Sequence, residues 1–270
     1  MSRGVRLLVF LVGGGCVAAM FAVAFFRMPA FGGTAHLYRD LAVRATLAHK
    51  TANAVGSVNF DQRGIDTLGE ETILLASVIG AAVLLRPSEE EAELRPRRPG
   101  RVMPSTKLLG YALLPVTLLV GLDVVLHGQV TPGGGFQGGV VIATGLHLLY
   151  VAGSYPALDR MRPLEAFDIG EVAGATAFGG VGLAGIVAAG SFLANVIGRG
   201  TFGQLVSAGT VPVLNGAVGL EVGCGMVVLL AHFLQQDIII AAKTEAAASG
   251  GTAGERSGSD DEPAERDEES

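Results

Sequence analysis

The chain has 270 residues, 50% hydrophobic and only 16% charged, with a mean hydropathy of +0.49. A soluble domain carries roughly a quarter charged residues, so charge is scarce here, and with the apolar runs described below these values exclude a soluble enzyme. The 40 glycines and the absence of tryptophan suit helices that pack closely in lipid. The net charge of −6 is local: residues 244–270 hold nine acids against two arginines, and residues 1–243 hold 17 Lys/Arg against 16 Asp/Glu. That Gly/Ser/Glu-rich tail has no aliphatic stretch to bury and is expected to be disordered.

A hydrocarbon core about 30 Å thick needs about 20 apolar residues in a helix. Six runs meet or approach that length: Leu7–Phe26, Thr67–Leu85, Leu108–Leu126, Phe136–Ala152, Val172–Ile197 and Leu214–Ile240. None has Lys or Arg in its interior. The first follows Arg3 and Arg6 as a signal peptide would, and Gly13-Gly14-Gly15-Cys16 faintly suggests a lipoprotein site. Its apolar character continues to Phe25 and Phe26, beyond a signal-peptide core, so a membrane helix is expected. The fourth run is the shortest, and its helix is expected to begin among the preceding glycines. The reading is an all-α integral membrane protein of the cell membrane, with about six transmembrane helices and both termini cytoplasmic.

Orientation rests on basic residues in short loops. Arg3 and Arg6, the 86–107 segment (Arg86, Arg95, Arg97, Arg98, Arg101, Lys107) and Arg160 with Arg162 fall on one side, taken as cytoplasmic. The 27–66 loop, with Arg27, Arg39, Arg44, Lys50 and Arg63, opposes that assignment. The organisation expected is a two-helix region at 1–86, a charged proline-containing linker at 87–103, a four-helix region at 104–243 and the acidic tail at 244–270. Cys16 and Cys224 lie in apolar runs and are expected as two buried thiols, with no disulfide and no metal site. No nucleophile–base pair, metal-ligand cluster or nucleotide motif is visible, and no cofactor or nucleic acid is expected.

GLDVVLHGQVTPGGGFQGG (Gly121–Gly139) reads as a helix end, a tight turn and a glycine-rich helix start. Pro132 suits the turn or a first helical turn, and Gly133, Gly134 and Gly135 permit positive φ and close backbone approach. Gly134, Gly138 and Gly139, flanking Phe136, leave a flat face for helix packing. The first N–H groups of the helix are free to hold an anion or a carbonyl.

HGQVTPGGGFQGGVV (His127–Val141) closely resembles the signature of the MnhB/MrpB family, the B-type subunits of multisubunit Na+/H+ antiporters. FDIGEVAGA (Phe167–Ala175), GSFLANVI (Gly190–Ile197) and SAGTVPVLNGAVGLEVGCGMVVLL (Ser207–Leu230) resemble the same family in the same order, over about 104–242. NAVGSVNFDQRGIDTLGEETILLASVIGAAVLLR (Asn53–Arg86) is similar to the C-terminal part of the large A-type subunits of these antiporters, where an R-G-x-D-T-L-G-E run enters a membrane helix. The chain thus looks like a fusion of an A-like and a B-like module. Related modules occur in membrane-bound hydrogenase-type complexes.

The resemblance implies a membrane component of a multisubunit cation/proton antiporter that exports Na+ in exchange for H+. It implies A-, C- and D-like partners with smaller subunits, and no activity alone. The alternative is a structural component of an energy-converting hydrogenase or respiratory-type complex. Intramembrane ionisable residues are functional hypotheses by default. Glu221 has Ala217 and Gly225 on its own face, which suggests that it points into the bundle. The candidate ion-path residues are Glu221, His147, Asp123, His127, Asp66, Glu70, Glu171 and Asp237. Outer acids (Asp66, Glu70, Asp123, Glu221) and inner groups (His147, Glu171, Asp237) would form the two ends of a wet polar path. Glu70, Glu71 and Glu171 also stand in first helical turns, where the macrodipole alone favours carboxylates.

Overall fold

The computed structural model describes residues 3–28, 36–88, 91, 102–152 and 164–256, and every regular element among them is helical. Two compact units divide the chain, Met1–Leu41 and Ala42–Ser270. The elements are α1 (Arg3–Phe26), α2 (Leu37–Ala48), α3 (Ala54–Ser57), a π-helical turn (Val58–Gln62), α4 (Gly64–Leu84), α5 (Pro104–Leu126), α6 (Gly135–Val151), α7 (Leu164–Ala189) and α8 (Val211–Arg256). Among the described residues α1, α4, α5, α7 and Val211–Gln236 of α8 are long and apolar enough to cross a membrane, and Gly135–Leu149 is a shorter apolar helix.

α1 has no buried residue, and Cys16 on it is exposed and free. The expectation of a buried thiol there is corrected, because an apolar side chain in lipid needs no protein cover. Cys224 is half-buried and also free.

In the larger unit α8 is the central post. Its span is 61% buried, against 17–22% for α4, α5 and α7. Val211, Leu214, Val218, Val222, Val227 and Val228 point in several directions and are all nearly inaccessible, as expected of a helix apolar all round. α4, α6 and α7 pack on α8, and α5 packs chiefly on α6. Phe60 of the π-turn meets Phe178 of α7, ring centroids 6.4 Å apart, and closes the core between α4, α7 and α8. The exposed large apolar residues of α4, α5 and α7, such as Ile73, Leu119 and Ile169, make the outward surface.

Helices in lipid gain no hydrophobic drive from meeting one another, so they associate through packing and hydrogen bonds. Small residues supply the packing here. A Cβ on Gly135 would collide with the Asn215 carbonyl oxygen, and one on Gly139 would lie 2.9 Å from Gly219 O. Gly138 turns the other way, where a Cβ would lie 2.6 Å from Gly121 O of α5. The expected single flat face is therefore two: Gly135 and Gly139 admit α8, while Gly138 admits α5. Gly134 belongs to the turn, where Gly133 and Gly134 take φ of 141° and 137°. α6 starts at Gly135, inside the glycine run.

α7 ends at Ala189 and not at Ile197 as the apolar run suggested. Gly190 adopts φ 76°, and the chain reverses through Leu193 at φ 58°. The Leu193 N–H then donates to Gly182 O, and Phe192 fills the space that Gly182 leaves open. The segment is a re-entrant strap folded back along its own helix, where apolar residues serve packing and not helix length. Asn195 fastens it: Nδ2 donates to Asp61 Oδ1 and Ala208 O, and Oδ1 accepts from Thr210 N.

At the opposite end of the bundle α8 continues to Arg256. Residues 257–270, most of the acidic stretch expected to be disordered, lie outside the described residues, as do 92–101 of the linker. Lys243 Nζ reaches Glu91 Oε1 at 2.6 Å. Its hydrogen bond, followed by that of the Ser88 N–H, holds the Glu91 carboxyl down at about 2.

Thermal unfolding of the detergent-solubilised protein checks these contacts. Gly135→Ala drives a methyl into α8 backbone and should destabilise by about 1–3 kcal/mol. Gly216→Ala, where a Cβ meets nothing within 4 Å, should leave stability unchanged or raise it by about 0.5–1 kcal/mol. Asn195→Ala strands Asp61 Oδ1 and the Thr210 N–H and should cost about 1–3 kcal/mol.

Candidate functional site

Three loops meet at the end of the larger unit where α4, α6 and α8 begin. They are 49–63, 127–134 and 190–210, and amide side chains knit them together. Asn53 Nδ2 donates to Gly128 O (2.7 Å) and Thr131 O (2.9 Å), while its Oδ1 caps α3 at Val55 N. The Gln129 carbonyl accepts from the Ala52 and Asn53 N–H groups, and its Nε2 donates to Leu205 O at 2.7 Å. Asp61 is shared between His49 and Asn195. Within α8, Asn215 Oδ1 accepts from Gly135 N at 2.8 Å and its Nδ2 donates to Val211 O. Asn215 is thus a tertiary cap for α6: a carbonyl from another helix meets the first N–H that the sequence left open.

Beneath this knot lie three buried glutamates from three helices. Glu71 of α4 is 1% exposed, Glu221 of α8 is 0% and Glu171 of α7 is 3%. Both carboxylate oxygens of Glu71 and of Glu221, and Oε1 of Glu171, have no hydrogen-bond partner among the described residues. Glu221 lies within electrostatic reach of the other two.

Glycines make the room. A Cβ on Gly174 would lie 2.6 Å from the Glu221 N, and one on Gly225 would lie 2.8 Å from Glu171 Oε1 and 3.4 Å from Val78 of α4. Glu71 shares a cavity wall with Val218, three residues before Glu221. Glu71, Glu221 and Glu171 are therefore level with Val218, Glu221 and Gly225 of α8. At 1.5 Å per residue they descend roughly 10 Å along the helix. This is a file of carboxylates through the inner bundle, with no guanidinium or ammonium beside it among the described contacts.

Above Glu71 a cavity of about 190 Å³ opens between the π-turn, α4 and the Gly133–Gly135 turn. Glu70 and Gln137 line it and are exposed; Phe60 and Val218 are its apolar side.

The structure sorts the sequence candidates. Glu221 and Glu171 join the file, and Glu70 lines the cavity above it. Asp66 lies at the start of α4, half-exposed and paired with Arg63. Asp123 is 69% exposed and pairs with His127 at 3.0 Å on the surface end of α5, apart from the file. His147 is half-buried on α6 with its Nε2 inaccessible. Asp237 lies in α8, and its side chain falls outside the described residues. Glu71 is the residue that sequence reasoning named only as a helix-start acid. A signal existed: Thr67, Glu71, Leu74 and Val78 recur at helical spacing as one face, and it is the face turned to the core, whereas Glu70 shares its face with exposed Ile73 and Ser77.

Residues 105–228 match the family described as a domain related to the MnhB subunit of Na+/H+ antiporter. The uncharacterized protein MJ1307 of Methanocaldococcus jannaschii is 31% identical over 196 residues, covering 64% of this chain and 74% of that protein. Among solved structures, a chain of the membrane-bound sulfane sulfur reductase, an archaeal respiratory membrane complex, superposes with a TM-score of 0.67 at 27% identity, over 86% of this chain and 97% of that one. A chain of the Mrp complex from Dietzia sp. DQ12-45-1b shares the fold, with a TM-score of 0.62 at 24% identity, over 86% of this chain and 26% of the other. The apolar spans and the match at 105–228 agree: the chain is a multi-pass membrane protein whose residues 105–228 belong to the domain family related to the MnhB subunit of Na+/H+ antiporter.

Proposed function

We propose that this chain lines an ion path within a cation/proton antiporter complex, with Glu71, Glu221 and Glu171 as successive stations. The observation that carries this reading is the buried file itself. An isolated ionised carboxylate in an apolar interior is prohibitively costly, so each group must hold a proton or a cation. A carboxyl that can hold either, next to another that can do the same, is the minimal apparatus for passing one. Three such groups roughly 5 Å apart in height on neighbouring helices allow a hand-over with small side-chain motions. His147, further along α6, carries an imidazole, a group that can both give and take a proton, and suits the far end of the same path. Glu70 serves the near end; Asp66, Asp123 and His127 are peripheral to it.

In the exchange proposed, Na+ leaves and H+ enters, with both termini of the chain in the cytoplasm. The A-like stretch Asn53–Arg86 and the B-like stretch from 104 to 243 act as one device, since α4 packs on α8 and contributes Glu71. Large A- and D-like partners and a C-like partner supply the remainder of the transport machinery, so the chain is inert when expressed alone.

A second reading has its own support. One chain of the archaeal respiratory complex is matched over 97% of its length by 86% of this chain, more than the B-like stretch alone. On that reading the same file serves a complex in which electron transfer drives ion movement.

The deciding experiment is Na+-dependent ΔpH in everted vesicles from a host without other antiporters. The full operon is expressed with and without this gene, and then with Glu221→Gln, with native gels to follow assembly. Glu221→Gln should abolish exchange while the complex stays intact. Loss of exchange only where assembly fails would make the chain a scaffold, and exchange that requires an added electron donor would favour the respiratory reading. Thermal unfolding supplies a separate check. A buried polar group left without a hydrogen bond costs about 1–3 kcal/mol, a cost that an apolar side chain of similar size removes. Glu221→Met should therefore keep or raise stability while transport is lost.

A further inference from the structure

The cavity above the file has a chemistry of its own. Its lining brings together two carboxylates, Glu70 and Glu71, with the amide-bearing Asn59 and Gln137, and among the described residues it includes no basic side chain. Glu71 forms its buried wall, with both oxygens unpartnered, and Glu70 stands at its exposed side. Phe60, Phe136 and Val218 provide apolar surface around these oxygens.

We propose that this cavity is a loading site for a small monovalent hard cation of the Na+ class, taken up partly hydrated. The proposal rests on the file below being an ion path. Oxygen donors without nitrogen or sulfur select hard cations. Adjacent residues on a helix do not face each other, so Glu70 and Glu71 cannot grip one ion together as a chelate for a divalent metal would. They offer successive single charges instead: Glu70 attracts the ion at the exposed side and Glu71 receives it in the wall.

The size fits the same picture. At about 30 Å³ of liquid volume per water, the space of about 190 Å³ holds an ion with a remnant of its hydration shell. The positive end of the α6 dipole at Gly135 works against a cation there. Asn215 Oδ1 takes up the Gly135 N–H from behind and blunts that opposition. The turn at Gly133 and Gly134 has no side chain to fill the space. Any other residue at these φ values would be strained, and a Cβ on Gly134 would lie 2.7 Å from Asn215 Oδ1.

The test uses the intact complex. Exchange in everted vesicles is titrated with Na+, and equilibrium binding of 22Na+ is measured on the purified complex, for Glu70→Gln, Gln137→Ala and the surface control Glu165→Gln. Loss of a charged contact corresponds to about a tenfold change in an equilibrium constant. Glu70→Gln should raise half-saturating Na+ by about that factor and weaken 22Na+ binding in parallel; Gln137→Ala should move both in the same direction by less, and Glu165→Gln should move neither. If Glu70→Gln fails to assemble, Gln137→Ala decides alone. Unchanged Na+ half-saturation and unchanged 22Na+ binding in assembled Glu70→Gln would overturn the loading site. So would a variant whose pH profile moves while Na+ binding does not, which would make the cavity a proton inlet. Failure of the path reading looks different: exchange then survives Glu221→Gln whatever the Glu70 variant does.

Discussion

The structure depends on one close approach, that of the α6 backbone to α8 where Gly135 donates to Asn215. In a medium without water each backbone N–H needs a partner inside the protein. A helix that begins within the bundle therefore needs a cap brought by a neighbour, and Asn215 is that cap. It works only because Gly128 and Gly134 leave its amide room, each with a hypothetical Cβ within 2.7 Å of Asn215 Oδ1, and because Gly135 clears its backbone carbonyl. The approach also fixes the height of α6 against α8, and with it the cavity roof at Gly133–Gly135 over Val218. Residue by residue down α8, that height places Glu221 below the cavity.

The carboxylate file is the feature that stability alone would not retain. Glycines are spent on it: Gly174 clears Glu221, and Gly225 clears Glu171. Elsewhere in the same bundle glycine brings backbones into contact, as at Gly121, Gly138 and Gly139. One residue type thus performs two tasks, tight joining near the loop knot and clearance around the acids.

The loop knot links sequence segments that lie far apart. The loops 49–63, 127–134 and 190–210 each contribute an amide or carboxylate to the others: Gln129 to Leu205, Asn195 to Asp61, Asn53 to Gly128. Backbone carbonyls that water would otherwise serve are satisfied by Asn and Gln side chains, which donate two hydrogen bonds each. The knot holds α4 in register with α8, a precondition for Glu71 to meet the file.

The sequence by itself determined the class, since runs of about 20 apolar residues without internal charge have few fates other than membrane helices. It determined the family through motifs in order, and it pointed to Glu221 through small neighbours at helical spacing. The spacing of Thr67, Glu71, Leu74 and Val78 marks one face of α4, but Glu70 lies only about 100° away around the helix, and the packing partner decides which face turns inward. The sequence could not tell the re-entrant strap at Gly190–Ile197 from a longer helix, because apolar residues that fold back on α7 read the same as residues that extend it. Cys16 was misjudged for a related reason: lipid-facing and buried positions are equally apolar. The position of an acid along a helix is local information, and the meeting of Glu71, Glu221 and Glu171 is not. That meeting was decided by the tertiary structure, through glycine-to-backbone contacts that set the height of each helix against α8.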